Sequence, residues 1–452
     1  GKIPVLMRTD CGKMKWSIHL MNVIPGKKDG SMENSETHEI TIDRLAYGGD
    51  GFARLPDGRA VFVPLVIPGE KVTIRIVDDK QKYVRGELQH IIDPSPVRIE
   101  PPCPHFGVCG GCHYQHIPYA EQIKYKKTIL QEQLQRIAHL DSIPDLDVFQ
   151  SDEPFNYRNV MQFHLTGSGK LGFKKRSSDE VFELTRCLLS QAAIQQLWQN
   201  MSLEPQSGIE RIEIRQNESG DVLVIMQGDE QGIIPEVELD FPVSLVHRVG
   251  DEMIVLSGED NIQISVLDHP FRVSAGSFFQ INAGLAGKMV TRLLSTLKQK
   301  APHRVLDLYA GVGLFSHFMA PLVDELVAVE GSSFACQDFA ANLNEYEHIS
   351  LYQGSVENIL PDLDVQAELV VCDPPRAGLH PRVIDALAAS AVTSLVYISC
   401  DPATLARDLR RLIEKGFAIE NIALFDLFPQ TYHMEAVTLL ERSEPSANYP
   451  HR

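Results

Sequence analysis

The apolar positions of this chain change period three times. From residue 38 to about 97 they alternate with polar ones, in HEITIDRLAYGGDGFARL, RAVFVPLVIPGEKVTIRIV and YVRGELQHII. Gly48-Gly49, Pro56-Asp57-Gly58 and Pro68-Gly69 punctuate them, which predicts several short strands closing into a small β-barrel. Residues 98–274 read as α+β. YAEQIKYKKTILQEQLQRIAHL spaces Ile123, Ile129, Leu130, Leu134 and Ile137 as one helical face. FNYRNVMQFHL with KLGFKKR, and GIERIEIRQ with DVLVIMQG, read as hairpins, and a second helix lies between them. The lysines of the first helix, Lys124, Lys126 and Lys127, with Arg136, read as a solvated face. From residue 275 to 445 the order becomes strand, glycine-rich turn, helix, repeated, which predicts a doubly wound α/β sheet. Residues 1–37, with the polar run PGKKDGSMENSE, carry no sustained period and are expected to be a disordered leader; 446–452 form a polar tail.

Composition narrows the class. At 452 residues the chain exceeds one core, and 44% hydrophobic residues is ordinary for a globular protein. No run of about eighteen or more apolar residues spans a bilayer, and no secretion signal stands near Gly1, so a cytoplasmic, membrane-free protein is expected. The net charge of −18 argues against a general basic coat, although a local basic groove can sit within an acidic total. No feature requires a protein partner.

Candidate chemistry lies at strand ends. LVYIS is a short apolar strand, and Cys400-Asp401-Pro402 follows it directly before the helical spacing of Leu405, Leu409 and Leu412. A cysteine there stands at the ligand-binding edge of an open sheet, and the positive end of a helix favours its thiolate. An inert buried cysteine is the bland alternative. VLDLYAGVG ends a strand at Asp307 and turns through Gly311 and Gly313; VAVEG follows, with Glu330 nineteen residues after Gly311. That distance suits an acid accepting a ribose hydroxyl. Ser316 replaces the third glycine of a dinucleotide site, so a nucleoside lacking phosphates, S-adenosylmethionine, fits better. VVCDPPRAG places Asp373 at the same edge, where it is either a helix cap or a neighbour of the transferred methyl. LFPQTYHMEAVTLLER places His433 and Glu435 at the start of the last strand. There Glu435 can serve as general base to a nucleophile. Among the eight cysteines, Cys103, Cys109 and Cys112 read as a metal knuckle, with Cys187 a candidate fourth ligand. Four thiolates suit zinc or an iron–sulfur cluster, and the spacing does not separate the two. It does lack the C-x3-C-x2-C pattern of radical S-adenosylmethionine enzymes.

The barrel segment resembles the TRAM domain, an RNA-binding barrel. The four cysteines, LDLYAGVGLFS, DPPRAG, SCDPATLARDL and FPQTYHME, in that order, make residues 38–445 resemble the RNA uracil-5 methyltransferases. The nearest branch acts on 23S ribosomal RNA and carries a TRAM barrel and a [4Fe-4S] cluster. The resemblance implies that Cys400 is the nucleophile and Glu435 the base. It implies that Cys103, Cys109, Cys112 and Cys187 hold the cluster, and that Gln280, Tyr309, Gly311, Glu330, Ser355 and Asp373 line the methyl donor. The implied fold is a TRAM/OB-like barrel, an α+β domain with an iron–sulfur cluster, and a Rossmann-like methyltransferase domain. The implied partner is RNA. The same reaction on the T loop of transfer RNA is the rival within enzymes. A non-catalytic iron–sulfur RNA-binding protein is the rival outside them, although both Cys400 and Glu435 are retained. A small-molecule or protein methyltransferase would have no use for the barrel.

Overall fold

The computed structural model describes residues 37–443 except 202, 205, 206, 229–241, 364 and 365. Nearly all of the expected leader and the whole polar tail therefore lie outside the described residues.

The first strands close a six-stranded sheet in the order Thr37–Thr41, Lys71–Asp79, Tyr83–Asp93, Ala60–Val63, Gly51–Arg54, Arg44–Leu45. Alternation sends Ile40, Ala53, Val61, Val63, Val72, Ile74 and Val84 inward to a core of their own. The opposite face carries a row set by register: Arg44 pairs with Phe52, Phe52 with Phe62, and Phe62 with Arg85.

The central region forms a seven-stranded sheet running from Val181–Glu183 to Glu252–Ser257. Both expected hairpins are antiparallel pairs, Val160–Leu165 with Leu171–Lys174 and Ile209–Gln216 with Val222–Gly228. Their turns are made by Gly169 and Gly220, each at positive φ.

The last sheet has eight strands: Ile349–Gln353, Glu325–Glu330, Arg304–Leu308, Leu369–Cys372, Ser394–Ser399, Glu435–Arg442, Phe417–Phe425 and Leu146–Phe149. The first five are parallel, and Glu435–Arg442 inserts antiparallel beside Ser394–Ser399. From Arg304–Leu308 the chain first winds outward through Glu325–Glu330. It then returns to place Leu369–Cys372 on the other side. The crevice at that reversal is where open α/β sheets bind ligands. Leu146–Phe149, a strand the sequence pattern did not predict, closes the far edge against Phe417–Phe425.

The helix Tyr119–Ala138 departs from its expected surroundings. Ile129, Leu130 and Leu134 join the core shared with Leu405, Leu409 and Leu412 of the helix Pro402–Glu414, beneath the eight-stranded sheet. Lys126 is not part of a solvated face. Its side chain is 0% exposed and ion-paired with the equally buried Asp426. Lys126 stands three residues before Ile129 and four before Leu130, so helical geometry places it on the buried stripe.

Candidate active site

Residue placement at the sheet edge follows from strand register. Ser399 pairs with Ala436 in the antiparallel ladder, and continuing one residue sets Cys400 opposite Glu435. Cys400 is partly accessible, whereas Glu435 is only 6% exposed. Burial, with the Asp373 carboxylate nearby, holds the Glu435 carboxyl well above its usual range, against the opposing charge of Arg376. Burial likewise pushes the Cys400 thiol up to about 12, with Glu435 and Asp373 adding to it and Arg376 opposing. Like charges sharing one site suppress each other's ionisation.

The expectation that the helix N-terminus would favour a Cys400 thiolate is therefore not met in the free protein. Burial and the two neighbouring carboxylates dominate, and the helix end is also already occupied. Asp401 caps the helix Pro402–Glu414, its Oδ1 accepting from the Ala403 and Thr404 N–H groups at 2.9 Å each. The positive end of the helix is spent on that carboxylate. The Asp401 Oδ2 in turn accepts from the Tyr47 hydroxyl at 3.1 Å, so the barrel touches the residue after Cys400. Tyr47 also meets Tyr432 edge to face at 5.5 Å between centroids. His433 is kept neutral: burial, with Arg376 nearby, lowers it to about 4.

A second set surrounds the glycine turn. Tyr309 takes φ +64° and Gly311 φ +56°, a left-handed conformation that costs a side chain but not glycine. Tyr309 and Ala310 both donate their N–H to the Val329 carbonyl. Glu330 accepts from the Gly311 N–H at 2.8 Å on one oxygen and from the Ser332 N–H at 2.6 Å on the other. Each carboxylate oxygen has a further lone pair, and Glu330 is partly accessible, so it can also accept a ribose hydroxyl. Ser355 follows Gly354, whose N–H donates to the Glu330 carbonyl. Beneath the turn, Asp307 is buried and accepts from the Ser316 hydroxyl; burial, with Glu330 adding, pushes it up to about 7. Asp373 lies next along the edge, also pushed up to about 7 by burial and by Asp307. Gln280 sits on a separate loop, its carbonyl accepting from the Asn159 amide at 3.3 Å. Tyr309, Gly311, Glu330, Ser355 and Asp373 thus lie along the edge that bears Cys400 and Glu435. The donor set suits a nucleoside-bearing methyl donor. A broad surface cleft lined by His303, Asp324, Glu347 and His348 opens at the opposite edge and includes none of them.

The four cysteines meet elsewhere. Cys103, Cys109, Cys112 and Cys187 line one small cavity together with Phe106, Arg158 and Met161. Three are buried and Cys103 is partly exposed. Burial pushes the Cys109 thiol up to about 11 and raises those of Cys112 and Cys187. Among the described residues no group of three or more Cys, His, Asp or Glu is arranged to hold a metal ion. Four thiols lining one cavity are a donor set whose chemistry suits zinc or an iron–sulfur cluster.

Several neighbours of these sites were not picked out in the sequence: Tyr47, Arg376, Tyr432, Lys126 and Gln122. Arg376 stood in view inside DPPRAG. Tyr47 could not be found, because its contact joins residues 354 positions apart.

The barrel's outer row is aromatic and cationic. Phe52 and Phe62 lie 5.7 Å apart, Phe62 and Tyr83 5.9 Å, and the Arg44 guanidinium sits 4.3 Å from the Phe52 centroid. Arg54 and Arg85 flank them, exposed.

Residues 235–443 match the family described as tRNA (uracil-5-)-methyltransferase, and residues 32–89 match the TRAM domain. An uncharacterized RNA methyltransferase of Streptomyces coelicolor is 32% identical, covering 90% of this chain and 93% of the relative. The 23S rRNA (uracil(1939)-C(5))-methyltransferase of Chromohalobacter salexigens is 32% identical, covering 90% of each chain. The crystal structure of Pyrococcus abyssi tRNA (uracil-54, C5)-methyltransferase with S-adenosyl-L-homocysteine superposes with a TM-score of 0.68. It is 22% identical and covers 89% of this chain and all of that one, a likeness of fold.

Proposed function

This chain belongs to the tRNA (uracil-5-)-methyltransferase family and is an RNA uracil-5 methyltransferase, and from that premise we propose that it methylates a uridine of 23S ribosomal RNA through a covalent adduct on Cys400. The observation that carries the mechanism is the register that sets Cys400 opposite Glu435 at the ligand-binding edge. The 23S assignment is supported by the Chromohalobacter relative, named for that substrate, matching along nine-tenths of both chains.

Uracil carbon 5 is too weak a nucleophile to take a methyl group unaided. Addition of the Cys400 thiolate to carbon 6 moves the ring electrons into an enolate, with density on carbon 5. S-adenosylmethionine, held by Glu330 and its neighbours, supplies an electrophilic methyl group. Once the methylated adduct has formed, Cys400 is a neutral thioether. The Glu435 carboxyl, held well above its usual range by burial and by Asp373, has a correspondingly high affinity for a proton. Glu435 takes the carbon-5 proton, the carbon 5–carbon 6 double bond re-forms, and the carbon–sulfur bond breaks to free Cys400.

Such a site needs its base out of the stack. The Phe52–Phe62–Tyr83 row with its arginines offers stacking faces and phosphate contacts on the barrel, whose Tyr47 reaches the catalytic loop. Replacing Phe52 and Phe62 together by alanine should lower RNA affinity roughly ten- to a hundredfold, as expected when one stacked base worth about 1–3 kcal/mol is lost. Donor affinity should not change. Filter binding at fixed salt tests this, and full RNA affinity in the double variant would remove the row from the interface.

The cavity of Cys103, Cys109, Cys112 and Cys187 would hold a [4Fe-4S] cluster in a structural role. Anaerobically purified protein should be brown and contain about four irons per chain. One zinc and no iron in that preparation would contradict the cluster. The proposed function itself is tested by mapping 5-methyluridine in 23S RNA from cells lacking the protein. The modification should vanish at one or more positions and return on complementation. An unchanged 23S map with loss from transfer RNA would move the substrate there.

A further inference from the structure

The fully buried Lys126 has a place in the active site's construction that no comparison assigns. It lies on the helix Tyr119–Ala138, one turn after Gln122. All three of its ammonium donors are used: one pairs with Asp426, one reaches the Phe428 carbonyl at 3.1 Å, and one the His433 carbonyl at 2.7 Å. Asp426 directly follows the strand Phe417–Phe425, and His433 stands two residues before Glu435, which opens the strand Glu435–Arg442. One ammonium therefore gathers both ends of the loop 426–433.

Gln122 holds the middle of the same loop. Its amide donates to the Gln430 side chain at 2.9 Å and its oxygen accepts from the Gln430 N–H at 3.1 Å. Gln430 takes φ +69°, an uncommon conformation for a residue with a side chain, and its carbonyl accepts from the His113 and Tyr114 N–H groups. The helix that carries both clamps is itself anchored in the core through Ile129, Leu130 and Leu134. Leu427 is buried in the core and Phe428 and Tyr432 pack against it, but packing alone does not direct the backbone polar groups at the two ends of the loop, which the Lys126 ammonium ties together. Glu435 needs a fixed distance to the carbon-5 proton.

We propose that Lys126, with Gln122, is a positioning residue that sets Glu435 for proton removal by clamping the loop 426–433 from beneath. This rests on the reading of Glu435 as the base. The step concerned is the last: the carbon-5 proton passes to the Glu435 carboxylate, its electron pair forms the ring double bond, and the carbon–sulfur bond to Cys400 breaks. Addition and methyl transfer depend on Cys400 and the donor site, which Lys126 does not touch.

The test uses full-length holoenzyme carrying Lys126→Met together with Asp426→Asn, since removing one partner alone would strand a buried charge. S-adenosylmethionine affinity should stay within about twofold of wild type, and 5-fluorouridine RNA should still trap the enzyme. Turnover on normal RNA should fall at least about tenfold, with the methylated RNA adduct accumulating on denaturing gels. Wild-type turnover, or equal loss of trapping and turnover, would overturn the proposal. Should the double variant not fold, Gln122→Leu decides by the same two readouts. Glu435→Gln run in parallel separates the two ideas: if it accumulates no adduct, the base is misassigned, whatever Lys126 does.

Discussion

Cys400→Ala should abolish methylation, by on the order of 10⁴- to 10⁶-fold, the scale seen when a covalent nucleophile is removed. Among the described residues no other thiol stands opposite Glu435: Cys372 is wholly buried at the end of its strand, Cys336 is buried with its thiol on the Glu330 carbonyl, and the cysteines at 103, 109, 112 and 187 line a separate cavity. The variant should still bind donor and RNA, because the groups around Glu330 and the barrel row are untouched. In the wild type the thiol stands at about 12, raised by burial and by Glu435 and Asp373. Only the thiolate attacks. Its fraction grows about tenfold per pH unit below that value, so the rate of adduct formation should climb between about pH 7 and 9 without a plateau. Single-turnover gel assays across that range check it, and a flat profile would show that the free thiol's high value does not govern attack.

Glu435→Gln should give the opposite phenotype. The amide preserves shape and the neutral state that burial already favours in the resting protein, so addition and methyl transfer proceed. The carbon-5 proton then has no acceptor. Loss of a positioned general base costs about 10²- to 10⁴-fold. The enzyme should stall as a methylated RNA adduct that survives denaturation. A variant that turns over normally, or one that forms no adduct, would take proton removal away from Glu435.

What the sequence allowed, and what it did not, divides along physical lines. Strand-end chemistry was legible because a strand followed by a polar break fixes a side chain at the sheet edge. Cys400, Asp373 and the Gly311 turn all stand there. Glu435 was legible as the first residue of a strand, but its place opposite Cys400 depends on antiparallel insertion of that strand, which no local pattern announces. The helix end does not make Cys400 a thiolate, because burial and the Glu435 and Asp373 carboxylates outweigh it and Asp401 already caps it. Lys126 reads as solvated by residue type, yet its spacing from Ile129 and Leu130 puts it on the buried stripe, and the geometry prevails. Its partner Asp426 lies 300 residues away and is beyond any periodicity. Leu146–Phe149 was missed because four residues joining an existing edge need little intrinsic preference of their own.

The covalent adduct is the claim on which the mechanism stands, and its point of attachment can be read directly. Wild-type enzyme is incubated with S-adenosylmethionine and substrate RNA carrying 5-fluorouridine at the target, digested with nuclease and trypsin, and analysed by mass spectrometry. Fluorine cannot leave as a cation, so the intermediate should persist. The expected result is the peptide spanning residues 383–407 carrying a methylated fluorouridine nucleotide on Cys400. An unmodified peptide in an active preparation, or attachment at any other residue, would contradict the mechanism.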